Sequence, residues 1–248
     1  MTAEVRVIPL EGIPEIEEGD DLAGLLLTAA ERAGGLEDAD VLVVAQKAVS
    51  KAEGRVVRLD DVEPSARALE LADDDRDPRH VEWILRESAQ VVRVRPPLII
   101  AETRHGFVCA SAGVDASNAK GDGTLILLPL DPDASAARIR EAIRARTGRD
   151  VGVVVSDSFG RPFRQGTTDV ALGVAGLTAL LDLRGVRDRH GYELHATQIA
   201  VADELAGAAE LVLGKVSGIP AAVIRGVDLR GDGTGADIPI PEERDLFR

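Results

Sequence analysis

Apolar residues along the chain gather into short unbroken runs, separated by longer stretches where they recur at helical spacing. "VRVIPL" (5–10) reads as a strand, and "DDLAGLLLTAAERAGG" (20–35) as a helix opened by aspartate and closed by glycines. "DVLVVAQKAVSKAEGR" (40–55) is a buried strand running into a polar segment. The stretch 64–93 predicts two helices separated by an acidic turn containing Pro78. "PLIIAETRHGFVCASAGVD" (97–115) predicts two short strands joined at "TRHG". After the apolar run "GTLILLPL" (123–130), residues 133–148 form an amphipathic helix that ends in glycine. A valine strand follows at 151–155, then a long helix over 196–214 and a late strand, "PAAVIRGV" (220–227). This alternation, with no internal repeat and no low-complexity linker, predicts a mixed α/β (α+β) architecture. The strand order does not follow from it.

The length of 248 residues allows one large domain or two small ones with a sizeable core. With aromatics at only 2%, that core must be built from Val, Leu, Ile and Ala. A net charge of −14 argues against binding to duplex nucleic acid. Only four of the 29 basic residues are lysine, an arginine bias that fits a GC-rich genome or a salt-adapted source. The single cysteine, Cys109, excludes an internal disulfide and a cysteine zinc cluster; its apolar context suits a small core residue. The start of the chain carries no signal-peptide pattern, and the longest apolar run (170–181) is too short and too broken to span a membrane. A cytoplasmic protein is the expectation.

The chemistry begins where the 151–155 strand stops being apolar. Within a few residues come Ser156, Asp157, Ser158, Arg161, Arg164, Gln165 and Asp169. Asp157 lies just past a strand end, where α/β proteins place ligand groups. Asp115 occupies a similar place, with Ser117 and Asn118 behind it. Two carboxylates among hydroxyl and amide oxygens suit magnesium or manganese. Aspartates also cap turns and helices, and both readings stand at this point. Carboxylate followed by clustered arginines is what a phosphate-handling site requires. Gln46, Lys47, Ser50, Lys51 and Arg55 follow a buried strand, where a lysine can act as a point charge on phosphate or simply sit exposed at a helix start. No G-x-x-x-x-G-K-[ST] sequence is present, and "GDGTGAD" (231–237) lacks the context of a dinucleotide fingerprint, reading instead as a flexible loop. The four histidines, His80, His105, His190 and His195, have no zinc-motif spacing.

Several long segments, taken together, resemble the coenzyme F420-0:L-glutamate ligases. They are "PLEGIPEIEEGDDLA" (9–23), "VSKAEGR" (49–55), "ETRHGFVCASAGVDASN" (102–118), "SDSFGRPFRQGTTDVALGVAG" (156–176), "DRHGYELHATQIAVADELA" (188–206) and "GIPAAVIRG" (218–226). They run in collinear order over nearly the whole chain. The resemblance implies a ligase fold that is neither a Walker P-loop nor a Rossmann fold, as a single domain over 1–248 that is open to division into two subdomains, in an intertwined homodimer. Some relatives carry a further nitroreductase-like domain, and this chain resembles the standalone ligase part.

The implied reaction adds γ-linked L-glutamate to the lactyl carboxylate of F420-0, with GTP as co-substrate and Mg2+ or Mn2+, a monovalent cation being an optional addition. By motif, Glu11, Gly12, Ile13 and Pro14 match a nucleotide-contacting turn, and Gln46, Lys47 and Lys51 match positions near the phosphates. Asp115 and Asp157 match ligands of a first metal, Ser158 a ligand of a second, and Asn118 a nucleotide contact. Leu213, Gly214, Lys215, Val216, Ser217, Gly218 and Ile219 match a glycine-rich nucleotide loop. Lys215 departs from the glutamate that archaeal members place there, so a carboxylate ligand of the second metal is missing from the pattern. Asp157, Lys51, Arg161 and Arg164 are the expected catalytic set, stabilising phosphoryl transfer to a carboxylate. A metal-dependent phosphohydrolase and a non-catalytic deazaflavin-binding protein are the competing readings.

Overall fold

Strands covered on both faces read as unbroken apolar runs, and three such runs lie side by side at the centre of one sheet. The computed structural model describes residues 4–72 and 76–246. In chain order the elements are β1 (Arg6–Pro9), α1 (Leu22–Arg32), β2 (Val41–Ala45), α2 (Gln46–Ala52), β3 (Val56–Arg58), α3 (Ala66–Leu71), α4 (Pro78–Glu87), β4 (Ser88–Arg95), β5 (Leu98–Thr103) and β6 (Val108–Ala110). They continue with β7 (Thr124–Ile126), α5 (Pro132–Thr147), β8 (Gly152–Gly160), β9 (Thr167–Ala175), β10 (Leu181–Asp182), β11 (Gln198–Ile199), α6 (Val201–Leu213) and β12 (Ala221–Arg225).

The main sheet has the order β1-β12-β2-β8-β9. β2 and β8 are parallel, while the other neighbours pair antiparallel. The mixed α/β expectation is met. Alternation along each strand sorts its valines to opposite faces. Leu42, Val44, Val153, Val155 and Val223 pack with Leu26, Ile139 and Ile143 of α1 and α5. Val41, Val43, Val154 and Ile224 pack with Ala202, Leu205, Ala206 and Ala209 of α6. A separate cluster, including Val81, Ile84, Ile99, Ala101, Leu125 and Leu127, forms where α3 and α4 meet the smaller sheets β4-β5-β6 and β3-β7.

Helix starts follow the capping chemistry. Asp21 accepts from Gly24 N at 3.1 Å and Asp131 from Ala134 N at 2.9 Å, and Gly148 closes α5 in the left-handed region at φ 71°. At Gly173 a side chain is impossible: its Cβ would stand 2.1 Å from the Pro132 carbonyl oxygen, where α5 begins against β9. β9 lies at a sheet edge, yet carboxylates occupy its outward amides. Asp169 N donates to Glu210 (3.1 Å), Ala171 N to Asp203 (2.9 Å) and Val174 N to Asp133 (2.7 Å).

Six expectations change. The helix expected over 196–214 begins only at Val201, because Gln198 and Ile199 pair with Asp182 and Leu181 as β11. The second helix of 64–93 ends at Glu87, and Ser88–Arg95 is a strand, because its apolar residues alternate and pair with β5. Pro78 stands in the first turn of α4, where its missing N–H costs nothing, and the acidic run 73–75 lies outside the described residues. The polar segment after β2 is the helix α2. The 151–155 strand continues as β8 to Gly160 and returns as β9, so the polar run belongs to a long hairpin; burial decides the apolar half of it and backbone pairing the rest. "GDGTGAD" is fixed by Asp133, which accepts from Gly235 N at 2.6 Å and Ala236 N at 3.3 Å.

Between β10 and β11 the chain forms an arm that hydrogen-bonds mainly to itself. Leu183 N donates to Thr197 O (3.0 Å), Gly185 N to Leu194 O (2.8 Å) and Asp188 N to Tyr192 O (2.9 Å). Val186 and Tyr192 on this arm are exposed.

Candidate active site

β2 and β8 run parallel with Ala45 opposite Ser156, so both strands deliver their next residues to the same level. A cavity of about 380 Å³ opens there, beyond the carboxyl end of the parallel pair. Residues 13–16, residues 45–48, Lys51, Asn118, Ser156, Asp157, Ser158, Asp169, Glu210 and the ends of the 213–220 loop line it. A register shift between Val155 and Ser156 marks a bulge that re-aims the side chains entering the cavity.

Asp157 is half-buried on this wall, and its acidity is weakened. Burial pushes its carboxyl up to about 6, against the pull of Lys47 and Lys215. No described cation closes on it to ion-pair distance. Cys109, nearby and buried, is driven to about 12 by burial and by the charge of Asp157, which makes it an inert thiol. Asp169, opposite Ser158 in the β8–β9 register, is buried and accepts from Ser156 Oγ at 3.0 Å and Ser158 Oγ at 2.6 Å. Its own amide donates to Glu210. A carboxylate thus holds each serine hydroxyl at the cavity wall.

Lysines supply the opposite charge. Lys47, Lys51 and Lys215 line the cavity, three of the four lysines in a chain of net charge −14. Lys47 Nζ lies 2.8 Å from Asp115 and Lys51 Nζ 2.5 Å from Glu15. Burial works to raise the Asp115 carboxyl, but Lys47 and the Ser117 amide and hydroxyl outweigh it and hold the group below its ordinary value. Gly214, at φ 56° and ψ 172°, turns the chain from α6 into the loop, a conformation that glycine alone adopts readily. Lys215 follows at once.

A profile of the F420-0:gamma-glutamyl ligase family matches residues 12–226. The chain belongs to that family. It is 46% identical over 250 residues to the coenzyme F420:L-glutamate ligase of Methanothermobacter thermautotrophicus, covering 98% of this chain and 99% of the relative. It is 47% identical to the enzyme of that name from Methanocaldococcus jannaschii (99% and 97% covered) and 46% identical to that from Haloarcula marismortui (98% and 96%).

Of the residues that the family resemblance singled out, the fold brings Ile13, Pro14, Gln46, Lys47, Lys51, Asn118, Asp157, Ser158, Leu213, Gly214, Lys215, Gly218 and Ile219 to one cavity. Asp115 reaches it through Lys47. Gln46 is buried, and its amide nitrogen donates to Ser50 Oγ (2.6 Å) and Leu127 O (2.9 Å), so it fixes the cavity floor. Glu11, Gly12, Val216 and Ser217 are not on the lining; Gly12 O accepts from Arg32, and Ser217 Oγ donates to Leu213 O. Arg161 and Arg164 sit exposed on the tip of the β8–β9 hairpin, outside the lining. The sequence reading left Glu15 and Glu210 out of the site, and noted Asp169 in the polar run without giving it a role of its own. The serine partners of Asp169 were legible only through the hairpin register, and Glu210 only through its helix facing β9.

Among the described residues no group of three or more His, Cys, Asp or Glu forms a ready-made ion cage. The donors present still suit a hard divalent cation: a half-buried carboxylate with no ion-pair partner among the described residues, and two serine residues on the same cavity wall. Magnesium keeps most of its shell as water and phosphate oxygens and asks the protein for only one or two carboxylates. Asp157 meets that demand, with Ser158 on the same wall.

Proposed function

We propose that this chain joins L-glutamate, through γ-links, to the lactyl carboxylate of F420-0, using GTP. The observation that carries the reading is the convergence of Lys47, Lys51 and Lys215 on the wall that presents Asp157 and Ser158. A carboxylate does not condense with an amine at neutral pH. A lactyl oxygen attacks the γ-phosphorus as GDP leaves, and the glutamate amine then attacks the acyl carbon as phosphate leaves and the amine gives up a proton. Lys51 and Lys215 hold charge on the phosphates, Asp157 and Ser158 hold a divalent cation, and Asp169 fixes the Ser158 hydroxyl. That cation, when bound, neutralises charge on the transferring phosphoryl group. At about 3.3 Å per strand residue, Arg161 and Arg164 stand roughly 10 Å or more beyond Asp157. From the hairpin tip they meet the anionic acceptor outside the cavity.

Mass spectrometry of F420-0 incubated with the chain, GTP, magnesium and L-glutamate is expected to show successive glutamyl additions. Phosphate release without a glutamylated product would instead make this a phosphohydrolase. Lys215→Ala is expected to weaken GTP binding by about tenfold, the value of one charge-assisted contact, in a calorimetric titration. Unchanged affinity would leave Lys215 a surface charge.

A homodimer is part of the same proposal, supported by the arm between β10 and β11, whose exposed Val186 and Tyr192 have little of their own chain to cover them. Replacing residues 184–196 by a short glycine linker is expected to give a monomer by light scattering where the full chain gives a dimer. Among the described residues no helix is long and apolar enough to cross a membrane.

A further inference from the structure

Arginine far outnumbers lysine in this chain, with only four of 29 basic residues lysine. A compact ammonium on a flexible stem has uses that a planar guanidinium does not meet. Three of the four lysines line the main cavity. The fourth, Lys120, does not, and its side chain is 78% exposed, so it would pass for a solvated charge. It lies instead on the rim of a second cavity of about 180 Å³ that shares Glu15, Ile16 and Lys51 with the first. This annex is walled by Ile16, Val56 and Ile126. It is smaller than the range of about 300–1,000 Å³ typical of sites for larger ligands, and so suits a molecule of amino-acid size. Its charged lining is three carboxylates, Glu15, Glu17 and Glu18, and two ammonium groups, with Lys51 paired to Glu15 at 2.5 Å and Lys120 to Glu17 at 3.1 Å. Carboxylates for an ammonium and lysines for a carboxylate, around an apolar floor, complement a zwitterion with a short methylene chain better than a simple anion or a nucleotide.

We infer that the annex seats the incoming amino-acid substrate, an α-amino dicarboxylate, and that Lys120 is the residue that reads its distal carboxylate. The substrate lies with its amine toward Glu15 on the shared wall, where the activated acyl group is presented, and with its carboxylate end on Lys120. This rests on the ligase reading above and adds to it the seat of the nucleophile.

The test is steady-state kinetics of the full chain with F420-0, GTP and magnesium at varied L-glutamate. Hydroxylamine serves as a second acceptor, an amine that attacks the same acyl carbon and releases phosphate without needing a carboxylate contact. Lys120→Ala, and Lys120→Met, which keeps the aliphatic stem, are expected to raise KM for L-glutamate about tenfold or more. KM for GTP and the rate of hydroxamate formation should stay within about twofold of the unaltered chain, as for a group that touches only the amino acid. Glu17→Gln, which releases Lys120 without removing it, is expected to leave KM for L-glutamate unchanged or lower. An unchanged KM for L-glutamate in both Lys120 variants overturns the inference. So does an equal rise in Glu17→Gln, which would make the ion pair a loop fastening. An unaltered chain that forms no glutamylated product overturns the ligase reading and this inference with it.

Discussion

Asp157→Asn is expected to lose turnover by about 100-fold or more while melting at a higher temperature than the unaltered protein in metal-free buffer at pH 7.5. The two effects share one cause. Burial raises the Asp157 carboxyl to about 6, so the folded state holds this proton more tightly than the unfolded chain does. Stability from this group is therefore greatest at low pH and is lost as pH rises from about 4 to about 6. A shift of that size is worth at most about 3 kcal/mol, and less here because the cavity lets water reach one side of the carboxylate. An amide carries no such penalty but is a poor ligand for a hard cation. Manganese should accordingly raise the melting temperature of the unaltered protein at pH 7.5, do so far less at pH 5, and leave Asp157→Asn unaffected. Calorimetry at the two pH values, with a parallel turnover assay, checks this. Retained turnover in the folded variant would remove Asp157 from the chemistry.

Arg225→Ala should do the reverse, costing about 3–5 kcal/mol of folding free energy while leaving turnover per folded molecule near normal. Asp40 is only 2% exposed, and Arg225 meets it with two bonds, Nε to Oδ1 at 2.8 Å and Nη2 to Oδ2 at 2.7 Å. The same guanidinium bonds Gly35 O at 2.8 Å and reaches Glu37 at 2.6 Å, tying the end of β12 to the turn before β2. Removing it strands a buried carboxylate with little more than the Glu37 amide, 2.7 Å away. The loss would take a large share of the stability of an ordinary domain. Urea denaturation measures it, and a midpoint close to that of the unaltered chain would contradict the assignment.

How far the sequence could be read depended on what held each segment in place. Doubly covered strands such as β2 and β12 announce themselves as valine and alanine runs, and α1 and α5 by apolar period and aspartate caps. β4 hid behind α4 because "SAQVVRVR" follows a helix with no glycine or proline between them. The polar half of β8 hid because its pairing with β9 is a backbone matter that side-chain hydrophobicity does not report. In the site, residues that directly follow an apolar run, such as Asp157 and Lys47, stood out. Partners supplied from afar did not: Glu15 reaches Lys51 across 36 positions, and Glu210 reaches the Asp169 amide across 41. Long-range pairing of this kind is written in the fold and has no local signature.

The carboxylates on the outward amides of β9 also bear on how the molecule behaves in company. A bare edge strand is a template on which another chain can lay its own backbone, the first step toward ordered aggregates. Here Asp133, Asp203 and Glu210 fill those positions with negative charge, so a neighbour would find neither free donors nor a neutral approach. The protection depends on pH. Burial raises the Asp203 carboxyl, against the pull of the Ala171 amide, so on acidification it gives up its charge ahead of an ordinary carboxylate. The edge that repels a neighbour in neutral solution therefore loses part of its negative charge early on acidification.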